Sequence, residues 1–269
     1  MRKTILRKVL AYAALALLVL QSCKDDSYLT TAVPVPDQSL VEEFDTLSAA
    51  KSRGWLLKNR SEPIGPAVWV NGTTGNQSMG TTDAYSSKAT ATGFISTDYS
   101  SCAITGNLGE GTISNWVISP KVMLQNGDKI IFYARGLDSV SRWGDRLQVL
   151  INKNNDGAEC GRGLNPGDFD VTLLDINPLN ASGFTVPAIA AQAYPWPFAS
   201  APPFPLIYDN AMSFPRFWTR FEARIPANSL PKPVLGRFAL RYFVPNGGTN
   251  GRGDHISLDS IAYVSASRK

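Results

Sequence analysis

Apolar and polar residues alternate along several short segments in the second half of the chain. A period of two is typical of strands with one buried face, and turn residues such as 126–128 and 154–157 separate the segments. The predicted strands span residues 129–137, 145–153, 217–225, 237–245 and 255–264. In the last strand, the alternation places Ile256, Leu258, Ser260 and Ala262 on one face. Many short strands of this kind predict an all-β fold, a β-sandwich or a barrel.

Helical periodicity is nearly absent, and residues 47–51 are the one stretch with a helical appearance. Two regions depart from the strand pattern. Residues 71–115 are rich in Gly, Ser and Thr, and residues 161–215 form a proline- and aromatic-rich insertion. Proline cannot donate to a β-ladder, so the insertion cannot be mostly central strand. We therefore predict a single domain with long loop insertions.

The N-terminal segment has the form of a secretory signal peptide. A basic patch at residues 2–8 precedes an apolar run over residues 9–20, which is shorter than the about 20 residues of a membrane-spanning helix. The run ends at Leu20-Gln21-Ser22-Cys23. This resembles a bacterial lipobox, in which the cysteine takes a lipid and becomes the first residue. The alternative is a plain signal peptide followed by a coincidental cysteine.

Lys24, Asp25 and Asp26 follow the cysteine. A lysine with paired acids at this place resembles the export signal that sends Bacteroidetes lipoproteins to the outer face of the outer membrane, although a solvated linker would have similar residues. We expect a signal peptide over residues 1–22, a lipidated linker over residues 23–40 that anchors the protein to the membrane, and a folded domain over residues 41–269.

The charge of the chain argues against one class of partner. The formal net charge is +4 over 269 residues, but the basic patch leaves with the signal peptide, so the mature protein is near neutral. Nucleic-acid binding draws most of its affinity from basic surfaces, and we expect no nucleic-acid partner. An apolar fraction of 43% is sufficient for a core.

Two cysteines remain beyond Cys23, and both lie in loop-like stretches. In an oxidising compartment Cys102 and Cys160 form either a disulfide or two free thiols. Their spacing in the sequence does not decide between these alternatives.

Several motifs occur in the order of a known family. The segments EEFDT, NWVISPKV, FWTRFEARIPA and ISLDSIAYV follow one another over residues 41–264, and residues 116–120 are the most specific piece. Together they resemble the choice-of-anchor J domain, which is related to the cleaved-adhesin domains of Bacteroidetes surface proteins. The resemblance implies a jelly-roll-like β-sandwich used in adhesion and in glycan or protein binding, and no catalysis.

The same resemblance implies a structural calcium ion between the first and last strands. The matching carboxylates are Asp45 and Asp259, with Glu43 a weaker candidate, and hard oxygen ligands suit Ca²⁺. The alternative is that Asp45 caps a turn and Asp259 faces solvent.

Catalytic residues are hard to assemble in this sequence. His255 is the only histidine, which excludes multi-histidine zinc sites, and we expect it to begin a strand with no catalytic role. No G-x-S-x-G motif presents a serine. Glycoside hydrolysis needs a pair of carboxylates, and no spacing singles out a pair among Asp145, Asp168, Asp170, Asp175 and Asp209.

Two short motifs have weak functional readings. Residues 152–157 superficially resemble the start of an EF-hand loop, but a hairpin turn accounts for them better because the later glutamate is missing. Residues 252–254 are the triplet Arg-Gly-Asp, an integrin-binding motif that also arises easily by chance in a Gly-rich turn.

Aromatic residues between prolines are the best indication of a ligand site. Rings on proline-stiffened loops offer rigid, flat faces on which sugars stack. The candidate ligand-binding residues are Trp196, Tyr194 and Tyr208 of the insertion, and Trp143 of a separate loop. The alternative is that these aromatics, the phenylalanines above all, plug one end of the sandwich.

The sequence therefore predicts a non-catalytic, surface-anchored binding module. Its expected partner is a glycan or a host or extracellular surface protein. A surface lipoprotein hydrolase acting on polysaccharide and a structural subunit of a surface complex are the alternatives.

Overall fold

The computed structural model describes residues 35–72, 84–85, 93–103, 111–136, 144–178, 214, 218–249 and 251–266. The strands are β1 (Leu40–Glu42), β2 (Leu56–Asn59), β3 (Val70–Asn71), β4 (Ile95–Asp98), β5 (Gly111–Ile118), β6 (Val122–Leu124), β7 (Lys129–Arg135), β8 (Leu147–Asn152), β9 (Val171–Ile176), β10 (Thr219–Arg224), β11 (Val234–Gly247) and β12 (His255–Val264). The helices are α1 (Leu47–Ser52) and a 3-10 helix (Tyr99–Ser101). In the described part of the chain, no helix is long and apolar enough to cross a membrane.

Two antiparallel sheets form a sandwich. The first sheet has the order β10-β7-β12-β4-β3, with β1 paired to β12, and the second has the order β2-β5-β11-β8-β9, with β6 paired to β11. Their inner faces supply a common apolar core that includes Phe132, Leu240 and Leu258. The predicted all-β sandwich is confirmed.

The period of two correctly predicts the inner face in β8 and β11. Leu147, Val149 and Ile151 of β8 lie in the core, and Phe238, Leu240 and Tyr242 of β11 lie opposite them. The residues that alternate with them, such as Leu150 and Ala239, are also buried, but in a second apolar cluster on the other face of the sheet. Successive side chains of a strand point to opposite faces, so the alternation separates the two clusters.

The prediction for β12 is wrong over its second half. A register shift between Asp259 and Ala262, with Ser260 at φ 49°, inserts an extra residue into the strand. After this bulge Ile261 and Tyr263 face the core, in place of the predicted Ser260 and Ala262. A β-bulge reverses which residues face inward, and nothing in the alternation of the sequence announces it.

The connection between β8 and β9 is also longer than expected. A tight hairpin turn was predicted at residues 152–157, yet β8 and β9 pair as antiparallel neighbours through residues 153–170. Cys160 and Phe169 of this connection pack on Trp116 in a second apolar cluster, outside the main core. The 153–170 connection therefore covers part of the outer face of the second sheet. Strand β9 lies inside the insertion and was not predicted.

The two ends of the sandwich differ in what they carry. At one end, which we call the terminus end, β1 begins beside the last residues of β12, with Leu40 paired to Tyr263. At the opposite end, which we call the loop end, β4, β7, β9 and β11 finish and β8, β10 and β12 begin. Strand β1 thus begins at one end, and the described residues that flank the stretches 137–143 and 179–213 lie at the other.

Candidate functional site

The loop end is organised around a buried carboxyl group. Asp145 precedes β8 and is wholly buried. Its Oδ1 accepts hydrogen bonds from the hydroxyl of Tyr242, at 2.6 Å, and from the backbone N–H of Asp254, at 2.8 Å. Its Oδ2 is buried and has no hydrogen-bond partner. One oxygen therefore holds β11 and the residues before β12, and the other is unsatisfied.

The backbone of Asp145 makes a second link across this end. Its carbonyl oxygen accepts a hydrogen bond of 2.7 Å from the side chain of Asn177, which follows β9 at φ 58°. Asparagine tolerates this left-handed conformation better than most residues. The point where the chain leaves β9 is therefore fixed to the start of β8.

Charged groups at this end are perturbed by burial. Burial raises the pKa of Asp145 to about 7, and burial and the neighbouring Asp98 raise the pKa of Asp254. Burial is also the main cause that lowers the pKa of His255 to about 4. Removal from water disfavours the charged form of each group, so acids and histidine shift in opposite directions.

His255 begins β12, as the sequence predicts, and its Nε2 lies 3.1 Å from the hydroxyl oxygen of Ser257. A histidine beside a serine is one part of a nucleophilic site. Both side chains are buried, however, and Ser257 has no exposed surface. Because both side chains are buried, the pair is part of the strand's packing and does not meet a substrate in this structure.

The outer face of the first sheet carries an aromatic cluster that was not predicted. Tyr85 stacks on Tyr133 of β7 with ring centroids 3.4 Å apart. Trp218 meets Phe94 edge to face at 5.6 Å, and the guanidinium of Arg135 lies 5.7 Å from the ring of Trp218. The period of two in residues 129–135 contains the signal, because Tyr133 and Arg135 alternate with the core residues Phe132 and Ala134.

The residues predicted for calcium lie in different surroundings. Asp45 is exposed and Thr46 caps α1 in its place, whereas Asp259 is wholly buried and accepts from the backbone N–H of Ser260 at 2.6 Å. Within the described residues, no group of three or more His, Cys, Asp or Glu side chains could hold a metal ion. Calcium binding stays a prediction, and a fall in melting temperature on adding EDTA is its test.

Glu42, an acid of strand β1, is paired with an arginine. Glu42 of β1 is buried, and its carboxylate accepts two hydrogen bonds from Arg53, at 2.9 and 2.5 Å. This bidentate pair fixes the start of the domain to the end of α1.

Both remaining cysteines are buried free thiols. Cys102 lies in the main core and Cys160 in the second cluster, on the outer side of the second sheet. Of the two alternatives left by the sequence, the disulfide is therefore wrong for this structure. Burial raises the pKa of both thiols, which keeps them protonated and unreactive.

The carboxylates considered for hydrolysis serve other partners. Asp175 receives two hydrogen bonds from Arg146 at 2.8 and 2.6 Å. Asp168 accepts from Asn155, and Asp170 accepts from Asn154. Asp145 accepts from Tyr242 and Asp254 at the loop end, so all four of these acids have hydrogen-bond partners within the fold. Asp209 lies outside the described residues.

The predicted ligand-binding residues Trp143, Tyr194, Trp196 and Tyr208, and the predicted lipidation site Cys23, all lie outside the described residues. The described residues that flank two of these stretches do lie close to one another. Arg135 of β7 and Thr219 of β10 are both at the loop end, as are Asp145 and Asn177. The two aromatic stretches predicted from sequence therefore leave and rejoin the sandwich at the same end.

The Arg-Gly-Asp triplet belongs to the turn over residues 248–254, which joins β11 to β12. Arg252 is exposed, Gly253 is buried at φ 88°, and Asp254 is half-buried with its N–H on Asp145. A Cβ at Gly253 would lie 2.7 Å from the hydroxyl of Tyr242. Close packing and backbone conformation thus account for the glycine.

Comparison with known proteins gives similar folds only. No protein-family model matches the chain, and no curated protein matches it in sequence. The K1 cleaved adhesin domain of Lys-gingipain from Porphyromonas gingivalis W83 is 15% identical, with a TM-score of 0.44 over 85% of this chain and 99% of that chain. A structure of carbohydrate-binding modules from the β-sandwich superfamily is 12% identical, with a TM-score of 0.39 over 88% of this chain and 64% of that chain.

A cyclase from Fischerella sp. TAU is also similar, at 9% identity and a TM-score of 0.41 over 86% of this chain and all 100% of that chain. Similarity at this level leaves the function of this chain to be argued from its own residues.

Proposed function

We propose that the protein is a non-catalytic binding module of the cell surface, and that it contacts a glycan or an extracellular surface protein with its loop end. The observation that carries the proposal is the arrangement of the two ends. The aromatic stretches at 137–143 and 179–213 are both flanked by described residues of the loop end, such as Asp145 and Asn177. Binding residues on loops that leave a rigid sandwich are a common arrangement.

The opposite end suits attachment. The backbone N–H of Gln38 donates to the hydroxyl of Ser265 at 3.1 Å, and its side-chain oxygen accepts from Met123 at 2.7 Å. The chain therefore joins the sandwich firmly at the terminus end. A lipid on Cys23, as the lipobox resemblance implies, would hold the domain at the outer membrane.

The finer parts of the proposal come from the sequence. They are membership of the choice-of-anchor J family, lipidation at Cys23, exposure on the outer membrane, and ligand contact through Trp196, Tyr194, Tyr208 and Trp143. The lipid anchor has a direct test. We expect full-length protein to fractionate with membranes and a Cys23→Ala variant to be soluble, and a variant that stays membrane-bound with the same N-terminus would refute lipidation.

A glycan array followed by a turnover assay tests the function itself. The mature domain should bind one group of glycans saturably, with a Kd in the micromolar to millimolar range, about 4–8 kcal/mol. Chromatography of the bound glycan after prolonged incubation should show no shortened product. Product formation would favour the hydrolase, and the absence of any bound glycan on a broad array would favour the structural subunit.

A further inference from the structure

Asp145 connects three chain segments at the loop end. Its carbonyl oxygen accepts from Asn177, two residues before the stretch at 179–213, and its Oδ1 accepts from the N–H of Asp254 at the close of the 248–254 turn. The same Oδ1 accepts from Tyr242 of β11. Asp145 itself comes two residues after the stretch at 137–143. The side chain of Asp145 therefore links β11 to the turn, and its backbone carbonyl oxygen holds Asn177 independently of the carboxyl group.

The state of this carboxyl group follows from its surroundings. A buried anion needs hydrogen-bond donors or a cation around both oxygens, and Oδ2 has no hydrogen-bond partner. The titratable groups that act on Asp145 are Tyr242 of β11 and Asp254 of the turn, with Asp98 of β4 beside Asp254. His255 of β12 acts on Asp145 through its backbone N–H, which lowers the pKa. Asp254 and Asp98 are acids, and the ring of His255 is neutral near pH 7 because burial lowers its pKa to about 4.

We propose that Asp145 is the positioning residue of the loop end, and that it holds the 248–254 turn in place as a neutral carboxyl group. Loss of its proton places a charge on a buried carboxylate whose Oδ2 has no hydrogen-bond donor, and loosens the attached turn. The proposal describes how the loop end is regulated. Its consequence for ligand binding rests on the proposed function, whereas the effect of pH on the turn does not.

The direction of the pH effect follows from the raised pKa. Burial raises the pKa of Asp145 from 3.8 to about 7. The free energy by which the neutral carboxyl favours the closed turn is therefore fully present below about pH 4, and it is lost as the pH rises through 7. If opening of the turn exposes Asp145, the opening equilibrium constant increases about tenfold per pH unit between about 4 and 7 and levels off above 7.

Global unfolding has a different pH profile because it also exposes His255. An unfolded chain protonates His255 below about pH 6.5, but the folded chain does so only near 4. Between these values, unfolding releases a proton from Asp145 and takes one up on His255. The two effects cancel, so global unfolding is nearly independent of pH where local opening of the turn is steep.

Hydrogen exchange measured by mass spectrometry on the mature chain tests the proposal. The probe is the peptide over residues 246–256, at pH 5, 6, 7 and 8, with rates corrected for the intrinsic pH dependence of exchange. We expect about a fiftyfold rise in the opening constant from pH 5 to 7 and only about a twofold rise from 7 to 8. In Asp145→Asn, which cannot ionise at this position, the rise should be much smaller, with Asp254 the remaining group of the turn whose pKa is raised.

Two further variants make the result specific. Asp128→Asn makes the same substitution in a buried aspartate at the terminus end and should leave the pH profile of the 246–256 peptide unchanged. Tyr242→Phe removes a hydroxyl donor that lowers the pKa of Asp145. The rise of the opening constant with pH should therefore continue to a higher pH in this variant. It also serves if Asp145→Asn does not fold.

Opening that is independent of pH in the wild type would overturn the proposal, as would an unchanged profile in both Asp145→Asn and Tyr242→Phe. No ligand enters the measurement. Failure here therefore leaves the proposed binding function untouched, and a failed glycan array leaves this result untouched.

Discussion

Each end of the sandwich contains a wholly buried aspartate that accepts a hydrogen bond from a tyrosine, but the two are satisfied to different extents. At the terminus end, Asp128 accepts from Ala266 at Oδ1, and from Gln125 and Tyr263 at Oδ2. At the loop end, Asp145 accepts only at Oδ1. The same residue type therefore closes one end completely and leaves the other sensitive to a single proton.

The difference indicates a division of labour between the ends. A carboxylate with donors on both oxygens is a fixed structural group, which suits the end where the chain joins the domain. A carboxyl with an unpartnered oxygen tolerates local opening, and segments that bind ligands are drawn from the less stable parts of a fold. We expect variants at the two ends to differ in the same way.

The largest effect is expected for Asp128→Asn. The amide faces backbone and tyrosine donors with donors of its own, and each buried polar group left without a partner costs about 1–3 kcal/mol. Urea unfolding near pH 7 measures the loss. The exposed Asp156, paired with Lys121, supplies the control Asp156→Asn, with a much smaller expected loss because water screens the pair. Equal losses in both variants would refute the assignment of Asp128.

A smaller effect that depends on pH is expected for Asp145→Asn. The variant loses little free energy of unfolding at pH 4–5, where wild-type Asp145 is neutral. The pKa of the wild-type group is raised to about 7. The free energy of unfolding of the variant should therefore rise relative to that of the wild type by about 1.4 kcal/mol per pH unit between about 4 and 7. Urea unfolding at a series of pH values measures this difference. A constant difference between the two proteins would contradict the neutral carboxyl.

His255 separates local from global behaviour. The wild type should show nearly constant stability between about pH 4 and 6.5, because His255 and Asp145 oppose one another. In His255→Gln, the remaining groups at this end are Asp145 and Asp254, whose pKa values are both raised. The free energy of unfolding should therefore fall by at least about 1.4 kcal/mol per unit as the pH rises over this range. Thermal unfolding at fixed ionic strength checks the slope, with Ser257→Ala as the control that keeps both titrating groups. A flat profile in His255→Gln would show that the pKa of Asp145 is not raised.

Period-two patterns predicted the sandwich because strand alternation is a local consequence of one-sided burial. They failed at β12, where the bulge at Asp259–Ala262 depends on pairing with β7. They also left Tyr133 unnoticed, although its position opposite the core residues was readable from the same alternation.

The buried state of Asp145 was beyond the sequence. An aspartate before a strand reads as a turn residue, and only the tertiary contacts with Tyr242 and Asp254, which are about a hundred residues away along the chain, remove it from water. The aromatic insertion drew attention to the loop end by composition, whereas the residue that connects the segments there has no sequence signature.

Binding by two matched variants tests the central claim, that the ligand is bound at the loop end. With a glycan identified on the array, titration calorimetry should show that Trp196→Ala abolishes binding while its melting temperature changes little. Lys232→Ala, an exposed change beside the terminus-end recess lined by Gln125, Asn126 and Leu230, should bind as the wild type does. Full binding by Trp196→Ala together with loss of binding by Lys232→Ala would place the site at the terminus end and contradict the account.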